Sequence, residues 1–202
     1  LFTVGSAFAL AAYTEEEARR RQHAPVQEKM LPGIQRLEGS TRLLRASAMD
    51  VQNALRKLSK LPFARSVTGR EMPRIFGVAH SLLSASKYRW SIPALSSFLQ
   101  GFQETEPLSV RELWALPIAL KQVLLEEIIA QAPDALNDLA ASDAALDASL
   151  LCLHQVSLPI WSNILEPLVP FEQILCQDPS PSYSNMDFES RDMYRTAIEK
   201  IA

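Results

Sequence analysis

From Ile34 to Leu58 the apolar and small positions recur at Ile34, Leu37, Thr41, Leu44, Ala48, Val51, Leu55 and Leu58, in steps that alternate between three and four residues. That spacing holds one stripe on one side of a helix with 3.6 residues per turn. It predicts a single helix from about Pro32 to Lys60, roughly 40 Å long at 1.5 Å per residue. Arg36, Arg42, Arg45, Asp50, Arg56 and Lys57 fall off the stripe and mark its solvent side. Such a stripe can pair between chains as a coiled coil or pack inside a bundle. Thr41 and Ala48 weaken it with a polar and a small residue, which favours the bundle.

Downstream, Pro73 suits a first helical turn, and Ile75, Phe76, Ala79, Leu82 and Leu83 give a second, shorter stripe. Ser91 is placed to cap the segment carrying Leu95, Phe98, Leu99 and Phe102. Ser109 with Glu112 three residues on reads as a capping box before "LWALPIAL". From Leu113 to Leu125 the apolar residues surround the whole helix circumference, so that helix should be buried on all sides and kinked at Pro117. Asp134 and Asp143 stand where each could start a helix, and Pro159, Pro167 and Pro170 should divide the next stretch into short pieces. At the end, Asp187 is placed to cap a helix starting at Phe188, with Tyr194, Ala197, Ile198 and Ile201 on one apolar face. Arg191 should clamp that helix to the preceding bundle, and Arg195 should pair with Asp192.

Strand signals are nearly absent: no alternating runs rich in Val, Ile and Thr, and no Asn-Gly or Asp-Gly turns. The expected fold is therefore all-α, an irregular multi-helix bundle with one long helix and a buried central helix. Residues 1–30 read as an N-terminal helical segment and 31–202 as the bundle domain. The run "LFTVGSAFALAAY" is too short to span a bilayer, which takes about 20 residues, and it has no basic region before it. It reads as a half-buried helix, and with Leu1 in first place it suggests a lead-in cut from a longer polypeptide.

Composition narrows the function classes. With 48% hydrophobic residues in 202 the chain can bury a real core. Its 20 Lys and Arg against 23 Asp and Glu leave a net charge of -3, so no overall field draws it to nucleic acid or an acidic membrane. Cys152 and Cys176 match neither a disulfide framework nor a zinc site, and fit a reducing compartment.

Candidate chemistry is sparse. There is no Gly-rich phosphate loop, no nucleophile elbow and no His pair at metal-ligand spacing, so the residues assign no catalytic, cofactor or metal position. His80 beside Ser81, and His154 near Cys152, do not face each other as a base and nucleophile on a helix must. Glu126 and Glu127 read as a solvated helix flank. The patch "KYRW", Lys87 to Trp90, reads as a loop with an anchoring Trp, and Trp90 is the residue that a sugar ring would stack on.

At "PLSVRELWALPIALKQVLLEEI", Pro107 to Ile128, and at "EQILCQDPSPSYSNMDFESRDMYRTAIEKIA", Glu172 to Ala202, the chain resembles the cyclic β-1,2-glucan synthases. The stretch from Ile34 to Gln103 resembles the same helical region, which in that family precedes a membrane-embedded glycosyltransferase domain. The resemblance implies a non-catalytic helical module that organises the catalytic domains of a large bacterial enzyme or handles its glucan. It implies UDP-glucose and a divalent metal for the parent enzyme alone, a place on the cytoplasmic side of the inner membrane through that parent, and other domains of the same polypeptide as partners. β-1,2-glucan is a further candidate partner, with Trp90, Arg191 and Arg195 as candidate glucan or domain contacts. The alternative, drawn from the residues alone, is an independent interaction domain that self-associates through the Ile34 to Leu58 seam.

Overall fold

The stripe of the long helix is buried within its own chain. In the computed structural model, which describes residues 2–22, 32–65, 69, 71–136, 140–177, 179 and 182–201, Leu37, Leu44, Ala48, Val51 and Leu58 are each at most 3% exposed. The described residues are predominantly α, with one short hairpin among them: α1 (Phe2–Gln22), α2 (Pro32–Leu58), β1 (Phe63–Arg65), β2 (Glu71–Pro73), α3 (Arg74–Ala85), α4 (Ile92–Thr105), α5 (Val110–Leu136), α6 (Ala140–Ser157), α7 (Trp161–Leu165), a 3-10 turn (Glu166–Leu168), α8 (Glu172–Cys176) and α9 (Phe188–Glu199). These form two compact units, one of Leu1–Trp90 with Pro117–Pro159 and one of Ser91–Leu116 with Ile160–Ala202. The boundary read from sequence at residue 30 lies outside the described residues.

In the first unit α1 packs along α2. Small residues on α1, Ala7 and Ala11, are buried and let the two backbones approach. The polar break in the α2 stripe has a matching partner: Thr14 Oγ1 and Thr41 Oγ1 lie 3.0 Å apart, and each hydroxyl also reaches a carbonyl of its own helix. A buried hydroxyl that finds such partners avoids the cost of desolvation. Ion pairs Arg45–Glu15 at 2.8 Å and Arg36–Asp147 at 2.6 Å fasten α2 to α1 and α6 at the surface. Among the described residues the seam is thus mostly taken up inside the chain, with Leu55 half-buried.

The hairpin was not expected from sequence. Its strands pair antiparallel over three positions, Phe63 with Pro73, Ala64 with Met72 and Arg65 with Glu71. Runs this short carry no readable alternation. Pro73 ends β2 with φ -52 and ψ 131 instead of opening a helical turn, and α3 begins one residue later at Arg74, whose N–H donates to Pro62 O at 2.8 Å. The α3 stripe behaves as read, with Ile75, Ala79, Leu82 and Leu83 buried.

Helix α5 runs unbroken through Pro117 and Pro133 to Leu136, and α6 begins at Ala140. Asp134 and Asp143 thus lie inside helices and begin neither. Burial of Ile128 and Ala132 on the preceding turns outweighs the backbone donor lost at Pro133. Ala119, Leu120, Val123, Leu124 and Leu125 are buried in the first unit, and Leu113 and Leu116 in the second.

In the second unit Leu95 and Leu99 bury one face of α4, and Ser91 Oγ accepts from Ala94 N at 3.5 Å. Gln103 Nε2 donates to Leu168 O at 2.9 Å and so ties α4 to the 3-10 turn. The prolines divide the stretch from Pro159 to Pro170 into α7 and that turn.

Candidate functional site

The second unit contains a buried cluster of charge whose members come from the 3-10 turn, α8, α9 and the turn before α9 that carries Tyr183. Arg195 is the largest fully buried side chain of the described residues. Its Nε donates to Glu172 Oε2 at 2.7 Å and its Nη2 to Glu172 Oε1 at 2.8 Å, a two-pronged match between planar groups. Tyr183 Oη donates to Glu172 Oε2 at 2.7 Å and accepts from Arg195 Nε at 2.9 Å. Glu166, on the 3-10 turn, lies 3.4 Å from Arg195 Nη2 and 3.2 Å from Arg191 Nη1. Arg191 also approaches Glu172 at 3.9 Å. Two carboxylates and two guanidinium groups balance in formal charge.

Each element is placed by local chemistry. Asp187 caps α9, its Oδ1 accepting from Ser190 N at 2.7 Å, and this contact with the backbone holds its carboxyl below the ordinary range. Ser109 and Glu112 cap α5 reciprocally: Ser109 N donates to Glu112 Oε2 at 3.0 Å and Glu112 N to Ser109 Oγ at 3.2 Å. Glu199 then fastens the far end of α9 to the start of α5, its Oε1 accepting from Val110 N at 2.8 Å. Midway, Trp114 Nε1 donates to Asp192 Oδ1 at 2.7 Å, and its ring meets Phe188 edge-on at 5.2 Å between centroids.

The face that α9 buries is therefore not the one the apolar spacing indicates. Arg195 is fully buried while Met193, Tyr194 and Ile201 are exposed at 70%, 48% and 87%. Asp192 does not pair with Arg195, because the indole of Trp114 takes its carboxylate. Hydrogen bonding decides the orientation: Glu172, Asp192 and Glu199 all meet groups on the inward side, and reversing the helix would leave them without partners. Arg191, at 24% side-chain exposure, bridges Glu166 and Glu172 at the edge of the cluster.

Electrostatics fit a structural lock. Burial alone would push the Glu172 carboxyl up, but hydrogen bonds from Arg195 and Tyr183 and the two guanidinium charges outweigh it and hold the group below its ordinary value. Burial and the bond to Glu172 push the Tyr183 phenol well above its ordinary value. Three buried atoms, Arg195 Nη1, Arg191 Nε and Glu166 Oε1, have no hydrogen-bond partner in the protein.

Trp90 stands in the first unit, half-buried, after a turn in which Lys87 and Tyr88 both take left-handed backbone angles, φ 51 and 58. That turn is held by Tyr88 N donating to Leu83 O at 2.9 Å and by the Tyr88 phenol against Glu127. Burial, then the Glu127 carboxylate, pushes the phenol up to about 12. Glu127 also accepts from Gln131 Nε2 at 2.6 Å, and Glu126 from Gln122 Nε2 at 2.8 Å. Cys152 is buried and free, and burial pushes its thiol up to about 11, which keeps it protonated and inert at neutral pH. His80 and His154 are both exposed. An open apolar groove of about 290 Å³ lies between α1 and α5, lined by Ser6, Ala9, Leu10, Tyr13, Ile129, Ala132 and Pro133. Among the described residues, no three acids, histidines or cysteines gather as metal ligands would, and no helix is long and apolar enough to cross a membrane.

No family model matches the chain. Over 63 residues, 31% of its length, it is 35% identical to the cyclic beta-(1,2)-glucan synthase NdvB of Rhizobium meliloti (strain 1021), and the matched stretch is 2% of that protein. The similarity thus reaches a small part of a much longer relative.

Proposed function

We propose that this chain is a non-catalytic helical module of a cyclic β-1,2-glucan synthase-like enzyme, one that positions other domains of the same polypeptide. The observation that carries the reading is the 63-residue similarity to a glucan synthase. The geometry is compatible with it, since the ion pairs of the cluster around Arg195 are all made within the chain, as suits a part that must hold its shape. On this reading UDP-glucose and any divalent metal belong to a transferase elsewhere in the parent enzyme. The parent accounts for attachment to the inner membrane. Growing β-1,2-glucan is a candidate contact, and the half-buried Trp90 is where a sugar would stack.

The test uses the purified chain and labelled UDP-glucose with magnesium or manganese. No incorporation of label and no hydrolysis is expected, whereas turnover well above a heat-denatured control overturns the reading. Titration with cyclic β-1,2-glucan, followed by the fluorescence of the chain and of Trp90→Phe, separates a glucan-handling module from one that only spaces domains.

A further inference from the structure

Helix α9 turns its charged side inward and its apolar side outward. Met193, Tyr194 and Ala197 share one exposed face of α9, and Ile201, in the turn just past the helix, is exposed as well. Met193 and Ile201 are 70% and 87% exposed, more than is usual for apolar groups that cluster. Glu189 and Lys200, both exposed, stand at opposite ends of the same edge of this stripe.

We propose that this face of α9 binds the α9 of a second copy of the chain, antiparallel, across a two-fold axis passing near Tyr194. Charge complementarity selects the occupant and the direction. With the two helices reversed about a point between Tyr194 and Arg195, Glu189 of each copy lies opposite Lys200 of the other, once at each end. The same register sets the long Met193 level with Thr196 and one residue from the small Ala197, so that a knob meets a space, and brings the two Tyr194 rings together beside the axis. Parallel pairing would instead put Glu189 against Glu189 and Lys200 against Lys200, with the helix dipoles aligned. A face about 18 Å long, from 12 residues at 1.5 Å each, gives a small interface, so the dimer is weak and concentration-dependent. The inference does not rest on the glucan reading, because it uses only the exposed face of α9.

Sedimentation velocity from micromolar to millimolar protein tests it. A monomer–dimer equilibrium is expected, abolished by Met193→Asp with the helical circular dichroism unchanged. Glu189→Lys or Lys200→Glu alone should weaken association about three- to tenfold, as two rim charge pairs per dimer are disturbed, and the two together should restore it. A chain that stays monomeric at millimolar concentration overturns the proposal. So does a dimer that ignores Met193→Asp, or a double swap that is no better than either single one.

Discussion

Arg195 and Glu172 meet through two hydrogen bonds of 2.8 and 2.7 Å, with the arginine fully shielded from water. A guanidinium fork and a carboxylate can match in this way only when both planes are held, and here α9 and α8 hold them. The pair need not be more stabilising than a hydrophobic contact of equal volume, but breaking it leaves a charge buried alone. Arg195→Ala should therefore lower the stability of the chain by about 3–5 kcal/mol. Arg195→Met combined with Glu172→Leu should recover most of that loss, read by urea denaturation followed by circular dichroism.

The same cluster sets a pH dependence. The Glu172 carboxyl titrates below its ordinary 4.5 in the folded chain, so the folded state binds its proton less tightly than the unfolded state does. Its stabilising effect is complete above that ordinary value and is lost as pH falls through the lower folded one. Tyr183 acts in the opposite sense: its phenol is raised above the ordinary 10.0, so its contribution is complete below that value and declines at more alkaline pH. Thermal melts across pH should therefore show a plateau between these limits. Glu172→Gln should flatten the acid limb, and Tyr183→Phe the alkaline one.

How far the sequence could be read depended on which force fixed each element. Stripes buried by the hydrophobic effect alone were legible: α2 and α3 lie where their periodicity puts them, and seven apolar residues between Leu113 and Leu125 are buried, although Trp114, Ala115, Pro117 and Ile118 are half-buried and the helix is not enclosed on all sides. Local caps were legible too, since Ser109 with Glu112, and Asp187, act on donors three residues away. The orientation of α9 was not, because it is decided by partners distant in sequence: Glu172 lies 23 residues from Arg195, Trp114 lies 78 from Asp192, and Val110 lies 89 from Glu199. Tyr194, Ala197 and Ile201 carried the apolar pattern without the burial, and Ile198 is half-buried. The one local hint was the excess of charge on the opposite side, Arg191, Asp192 and Arg195, in a helix too short to spare a whole solvent face for it. The hairpin from Phe63 to Pro73 escaped for another reason, its strands being shorter than any alternation can register.

Leu116 and Leu120 are both fully buried on α5, each in a different unit. Truncation to Ala at either should cost about 2–5 kcal/mol, the range for a lost buried leucine and the cavity left behind. Because the two positions serve separate cores, limited proteolysis should distinguish them. Leu116→Ala should first expose sites within 160–202, and Leu120→Ala sites within the first unit.

The two arginines of α9 differ in what a lysine can replace. Arg191 keeps a quarter of its side chain in solvent and meets Glu166 and Glu172 through the single atom Nη1, at 3.2 and 3.9 Å. An ammonium in its place retains the charge and can reach the same oxygens, and a partly exposed ion pair is worth about 0–1 kcal/mol. Arg195 uses Nε and Nη2 at once, with Tyr183 Oη sharing the first. A point charge on a flexible stem cannot fill both places, and the shortfall is buried. Arg191→Lys should thus melt close to the parent, whereas Arg195→Lys should lose most of what Arg195→Ala loses. Added salt should move Arg191→Lys and the parent alike, because screening reaches the edge of the cluster and not its interior. Equal destabilisation by the two lysines would mean that Arg191 holds α9 in place as much as Arg195 does.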